Sequence, residues 1–310
     1  MNQISFFEYG KKAFVSVANV GNGSDACFSV RKTNSSYVGN CMKVRRSSDN
    51  TMLDIGFDGT DLDTVSLLAF VGAGNGFVDT WYDQSGNSRN LVQHTTTKQP
   101  KIVNSGSLIT SGGRAIIVFD GVDDIMTIPS SASYFINIHY STGFISAVIG
   151  VTNLNSNNFK GILGTCTGAS GQRGFYILYD DRSSLSRNES CVLAVQNGTA
   201  LQRTIVSYTA NDVFLTNRSI LNISVNNQNS NSLERCSFYA NNNSPKLNNL
   251  ETNSSSNGNS FNDFVIGSET IGGGAGFYDI EYQEIVLFNS DQKSKSVGFK
   301  INQNQYFNIF

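Results

Sequence analysis

The chain has 310 residues, enough to bury a substantial core as one large all-β domain or two small ones. Only 15% of its residues are charged, against roughly 25% in an average soluble domain, and 29 glycines with abundant Asn, Ser and Thr make up the difference. A net charge of −2 supplies no global basic field, which excludes a nucleic-acid-binding surface as the reading.

The first 25 residues, MNQISFFEYGKKAFVSVANVGNGSD, lack the basic start, apolar run and small-residue cleavage site of a signal peptide. Phe6, Phe7, Tyr9 and Phe14 either form a first strand or dock on another protein, and composition leaves the two readings level. From residue 26 to 310 the pattern reads as one domain. Strand-like runs bounded by turn residues recur at 41–47, 52–57, 77–83, 114–121, 144–152, 174–180, 191–197, 200–207, 218–227, 232–241 and 276–288. Such runs predict a sandwich or barrel, and no internal repeat suggests a propeller or solenoid.

Two segments read as helix. Residues 63–71 space Val65, Leu68 and Ala69 along one face, with Asp63 as N-cap and Gly72 as stop. Residues 290–308 set Val297, Ile301 and Phe307 near one face behind a Ser290 cap, although Gly298 weakens the middle. The Asn/Ser-rich stretch 241–260 reads as a long surface loop. Strand alternation places Lys43 and Arg45 on one face, a solvated one.

The segment 77–93, FVDTWYDQSGNSRNLVQ, combines a strand with a turn. Asp83 can accept hydrogen bonds from the following amides and hold that turn, and Trp81 is large enough to anchor a packing layer. Further on, Asp120, Asp123 and Asp124 in FDGVDDIM offer hard oxygen ligands that suit calcium. A hairpin turn between 114–119 and 125–128 accounts for them with fewer assumptions. The five cysteines, Cys27, Cys41, Cys166, Cys191 and Cys236, are odd in number and lack zinc spacing, so reduced buried thiols are expected. His94 and His139 sit in no metal or triad motif. The glycine runs at 72–76 and 272–276 lack the Lys-Ser/Thr of a phosphate loop and read as turns. No stretch approaches a membrane span.

The combination VRRSSDN (44–50), LLAFVG (67–72), FVDTWYDQSGNSRNLVQ (77–93) and QPKIV (99–103) resembles a module widespread in bacteriophage proteins. That module is similar to the catalytic domain of family-54 α-L-arabinofuranosidases. The likeness covers about residues 26–120 well. It returns at 264–288, where FVIGSETIGGGAGFYDIEYQEIVLF resembles the closing strands of laminin-G-like jelly rolls. The implied fold is an all-β, concanavalin A-like or laminin-G-like jelly-roll β-sandwich carrying the two helices.

In those arabinofuranosidases the nucleophile is a Glu late in a middle strand, and the acid/base is an Asp in a Gly-rich loop. The nearest matches are Asp181 and Glu269, each differing from the family residue by about one methylene. Since a misplacement near 1 Å costs on the order of a hundredfold in rate, no catalytic residue is favoured. The resemblance therefore implies a non-catalytic virion protein: a head or tail fibre, decoration protein or adhesin. Its implied partners are other virion proteins in a homo-oligomer, with a trimer as the model from phage fibres, and its location is the virion. A host-surface glycan is the candidate ligand, with Trp81, Tyr82, Tyr176, Tyr179, Tyr278 and Tyr282 as candidate stacking rings. No cofactor is expected, calcium at Asp120, Asp123 and Asp124 being the exception to test. An arabinofuranosidase-type glycosidase and a free lectin are the alternatives.

Overall fold

Among the described residues most strands pair into one continuous antiparallel sheet, and its longest strands are buried on both faces. A computed structural model describes residues 19–152, 159–167, 171–180, 190–198, 201–207, 218–241, 246–248, 258–268 and 277–310. The first half of the chain contributes β1 (Ala26–Ser29), β2 (Met42–Arg46), β3 (Met52–Ile55), helix α1 (Thr64–Val71), β4 (Gly76–Trp81), β5 (Leu91–Val92), β6 (Lys101–Asn104), β7 (Ile117–Val118), β8 (Met126–Thr127) and helix α2 (Ile136–Tyr140). Then come β9 (Thr142–Val151), β10 (Phe159–Gly164), β11 (Arg173–Asp180), β12 (Ser190–Asn197), β13 (Leu201–Ser207), β14 (Ser219–Asn226), β15 (Cys236–Ala240), β16 (Lys246–Asn248), β17 (Val265–Ile266), β18 (Ile280–Phe288) and helix α3 (Ser296–Phe307).

One half of the sheet runs β16–β15–β14–β9–β18. The far edge of β18 is shared, Tyr282 and Glu281 pairing with β7 and Glu284 to Leu287 pairing with β1. The other half runs β13–β12–β11–β10–β17–β8–β5–β4–β2–β3. Strand β6 joins them, paired with both β4 and β7. The sheet closes on its own apolar face: Ile145, Ala147 and Ile149 of β9 share one buried cluster with Phe175 and Ile177 of β11 and Leu193 of β12. This is the jelly-roll sandwich that the alternation and the resemblance imply.

Helix α1 has the expected ends. Asp63 accepts from the Ser66 amide at 2.9 Å, and Gly72 stops the helix at φ 64°. Its buried face differs, being Leu67 and Val71, with Val65 exposed. The C-terminal helix starts at Ser296, after a 3-10 turn at Lys293–Lys295, so Ser290 is not its cap. It runs unbroken through Gly298 but turns Val297 and Ile301 outward. Its buried side carries Phe299, Asn302, Gln303, Tyr306 and Phe307.

The cause of that inversion is a buried charge. Arg31 and Glu284 are fully buried and paired at 2.7 Å, and Arg31 also donates to Asn302 Oδ1 at 2.7 Å. Gln303 donates to Glu284 at 3.1 Å and to Ser146 at 2.7 Å, while the Arg31 guanidinium stacks on Tyr306 and Phe307. Polar residues of α3 are therefore what this part of the sheet requires. Arg218 closes the helix by donating to the Phe307 and Asn308 carbonyls.

The expected hairpin at FDGVDD does not form. β7 pairs with β18 and β6, whereas β8 pairs with β17 and β5, so the turn carries the chain from one half of the sheet to the other. The run expected at 232–241 begins with a 3-10 turn at Ser232–Glu234 and becomes strand at Cys236. Within the expected 241–260 loop, Lys246–Asn248 pairs with β15, while 242–245 and 249–257 lie outside the described residues. Phe6, Phe7, Tyr9 and Phe14 also lie outside them. All five cysteines are buried and none forms a disulfide among the described residues, and burial holds the thiols of Cys27, Cys41 and Cys191 above their usual range. Among the described residues no helix is long and apolar enough to cross a membrane.

Candidate functional site

The WYDQSGN segment is a structural knot. Asp83 Oδ1 accepts from the Cys27 and Ser85 amides at 2.8 and 2.9 Å, and Oδ2 accepts from the Ser85 hydroxyl and the Arg89 amide. Gln84 binds the β1 end of the chain with every polar atom of its amide. Trp81 is fully buried against Phe28 and donates to the Ser29 carbonyl. Asn87 reaches the Ser24 and Asp25 carbonyls, Gly86 takes φ 95°, and Tyr82 donates to Asp54. These contacts tie β4 to β1 and leave neither Trp81 nor Asp83 open to a ligand.

Four of the expected stacking tyrosines are in the interior, while Tyr82 is half-buried. Tyr176, Tyr179, Tyr278 and Tyr282 are all buried, and Tyr282 bonds the Ile162 carbonyl and the Gly267 amide. A sugar cannot lie on a ring whose faces are packed, so these four are core residues. Asp181 and Glu269 lie outside the described residues. His94 is exposed, its Nδ1 3.0 Å from the buried Asp79 carboxylate. His139 is buried beside the Gly258 carbonyl, and burial pushes its imidazole down to about 4.

Asp120, Asp123 and Asp124 bring carboxylate oxygens within 4.8 Å of one another. Asp120 Oδ1 already accepts from the Val122 amide at 2.8 Å, and Asp124 Oδ2 accepts from the Asp120 amide at 2.9 Å. The cluster is a self-bonded turn. Calcium takes about 6–8 oxygens, and the turn contributes three carboxylates, two of them bonded to its own amides.

Sheet register builds a different site. Phe77 of β4 lies opposite Lys101 of β6, Lys101 opposite Val118 of β7, and Val118 opposite Glu281 of β18. This row floors a groove of about 440 Å³, walled by Thr97, Gln99, Asn104, Ile109, Asp120 and Asp124. The walls are held from behind. Arg45 stacks on Phe77 at 4.6 Å and donates to Gln99 Oε1 at 2.6 Å, and Gln99 donates to Asp79 and the Gln93 carbonyl. Arg45 is therefore a buried strut and not a solvated cation. Burial pushes the Asp124 carboxyl up to about 7 and raises that of Glu281, where the Arg218 charge opposes the shift. Near neutral pH the Asp124 carboxyl can therefore donate or accept.

This groove escaped the linear reading because its floor comes from four strands spread between residues 77 and 281. Phe77, Gln99 and Lys101 all fall in segments that carried the resemblance, but only register aligns them.

No family model and no curated protein matches the chain. Solved structures do. An arabinofuranosidase complexed with arabinofuranosyl-α-1,2-xylobiose aligns over 90% of this chain with a TM-score of 0.58 and 14% identity. A mutant of a family-54 α-L-arabinofuranosidase, soaked with 4-nitrophenyl α-L-arabinofuranoside, gives 0.63 at 13% identity, again over 90% of this chain. The likeness is one of fold. The alignment spans 62% of the length of each of those enzymes. The binding domain of Paraclostridial mosquitocidal protein 1 aligns over 74% of this chain and 50% of its own, with a TM-score of 0.51 and 17% identity.

Proposed function

We propose that the chain is a non-catalytic bacteriophage virion protein, a fibre, decoration or adhesin subunit that holds host-surface carbohydrate in the groove over Phe77 and Lys101. The groove itself carries the carbohydrate half of this reading. It is concave, has one aromatic ring and a few aliphatic side chains, and sets amides and carboxyls around them, which is the pattern of a small polar-ligand site. The virion half rests on the resemblance of 44–50, 67–72, 77–93 and 99–103 to the phage module.

A glycan array probed with the purified chain tests the first half, and Phe77→Ala is expected to weaken any hit at least tenfold. No binding across a broad array refutes it. Mass spectrometry of purified particles tests the second half, which fails if the chain is absent from them. The sandwich likeness to arabinofuranosidases, with two raised carboxyls in one groove, favours a glycosidase as the second reading. Release of 4-nitrophenol from the aryl arabinofuranoside, abolished by Asp124→Asn or Glu281→Gln, would establish it in place of the first.

A further inference from the structure

Resting on the glycan-binding reading, we infer that the groove accepts saccharides without an acidic group and rejects sialylated or uronic-acid glycans. Among the described residues its lining holds three carboxyl groups, Asp120, Asp124 and Glu281, against one cation, Lys101. Two neighbouring arginines are committed elsewhere. Arg45 spends its donors on Gln99, Asn50 and the Thr96 carbonyl. Arg218, whose charge reaches Glu281, donates to the Ser111, Phe307 and Asn308 carbonyls. Lys101 lies 3.4 Å from Asn104 Oδ1 and within electrostatic reach of Asp124.

An anionic sugar entering this groove would meet like charge on β18 and on the 120–124 turn, with no free guanidinium fork among the described lining residues to bind it. Sugar hydroxyls face the opposite situation. Each can donate to an ionised carboxylate, and such charge-assisted bonds are roughly twice as strong as neutral ones. The acidic wall that repels a uronate is thus the feature that holds a neutral pyranose or furanose.

The experiment compares glycans differing only in a terminal sialic acid, or in a hexose against its uronate, by calorimetry at pH 8 and low salt. The neutral member of each pair is expected to bind at least about tenfold tighter, the size of one unscreened like-charge interaction at about 12 Å near a protein surface. Raising the salt should narrow that ratio, since the Debye length falls from about 30 Å at 0.01 M to about 3 Å at 1 M. Glu281→Gln and Asp120→Asn should each narrow it at low salt, with unfolding midpoints reporting that the variants fold. Equal or tighter binding of the anionic member overturns the inference and leaves glycan binding standing. A ratio indifferent to salt and to both variants overturns it too. Failure of every saccharide to bind removes the underlying reading as well.

Discussion

Replacing Gln84 should be among the most damaging single changes in the chain. The side chain is fully buried. Its Oε1 accepts from the Thr33 amide and hydroxyl at 2.8 and 2.9 Å, and its Nε2 donates to the Ser29 and Arg31 carbonyls, each at 3.0 Å. All the capacity of a primary amide is used. In Gln84→Ala the Ser29 carbonyl keeps Trp81 Nε1 and Cys41 Sγ, and the Thr33 hydroxyl keeps Cys27 Sγ. The Thr33 amide and the Arg31 carbonyl lose this partner. Each buried orphan costs about 1–3 kcal/mol, so the loss should be about 2–6 kcal/mol. At about 2 °C per kcal/mol for a chain of this size, the melting midpoint should fall by roughly 4–12 °C. Gln84→Glu separates shape from hydrogen bonding. At pH 7 it points a carboxylate at two carbonyl oxygens, and it should be at least as unstable as the Ala variant. Its folded pKa must then lie above the unfolded value, so stability should return as pH falls and the acid regains one donor. Differential scanning calorimetry at pH 5 and 8 decides the matter. A shift under 2 °C for Ala, or a Glu variant indifferent to pH, would refute the reasoning.

Two buried groups should tilt stability in opposite directions. Asp124 ionises near 7 in the fold against an ordinary 3.8, so stability should decline as pH rises from 4 towards 8. Asp124→Asn keeps the acceptor for the Asp120 amide and should remove that decline, gaining on the wild type at pH 8 in urea titrations. His139 is held neutral down to about 4 against an ordinary 6.5, so its contribution is lost as pH falls between those values. His139→Gln should flatten that acid limb in the same titrations. Arg31→Met strands Glu284 in the interior and should cost about 3–5 kcal/mol, with Glu284→Leu recovering part of it. A double-mutant cycle checks this, and additive losses would argue against the pairing.

Legibility in the sequence followed locality. The ends of α1 were readable because Asp63 and Gly72 act within four residues of their targets. The role of Asp83 was half readable. Its bond to Ser85 is local, but its bond to Cys27 spans 56 residues. The buried face of α3 was misread because a helical period identifies apolar positions and not what they meet. The sheet beneath α3 presents Glu284 and Ser146, so the helix answers with Gln303 and Asn302 and leaves Val297 and Ile301 outside. Tyr176, Tyr179, Tyr278 and Tyr282 were misassigned for a related reason: an alternating strand shows that a ring has a side, not whether a second layer covers it.

By itself the sequence did not show β1, β6, β10 or the short helix α2, but it determined many of the other elements of this protein: alternation of period two for strands, capping chemistry for α1, and turn chemistry for WYDQSGN. Each depends on interactions within a few residues, which composition and spacing already contain. The tertiary structure alone decided the long-range terms. Closure of the sheet turned Tyr176, Tyr179, Tyr278 and Tyr282 into core, and the register of β4, β6, β7 and β18 assembled Phe77, Lys101, Val118 and Glu281 into one groove floor. A ligand site is a property of which side chains become neighbours, and in an antiparallel sandwich the neighbours are set by strand pairing across the whole chain.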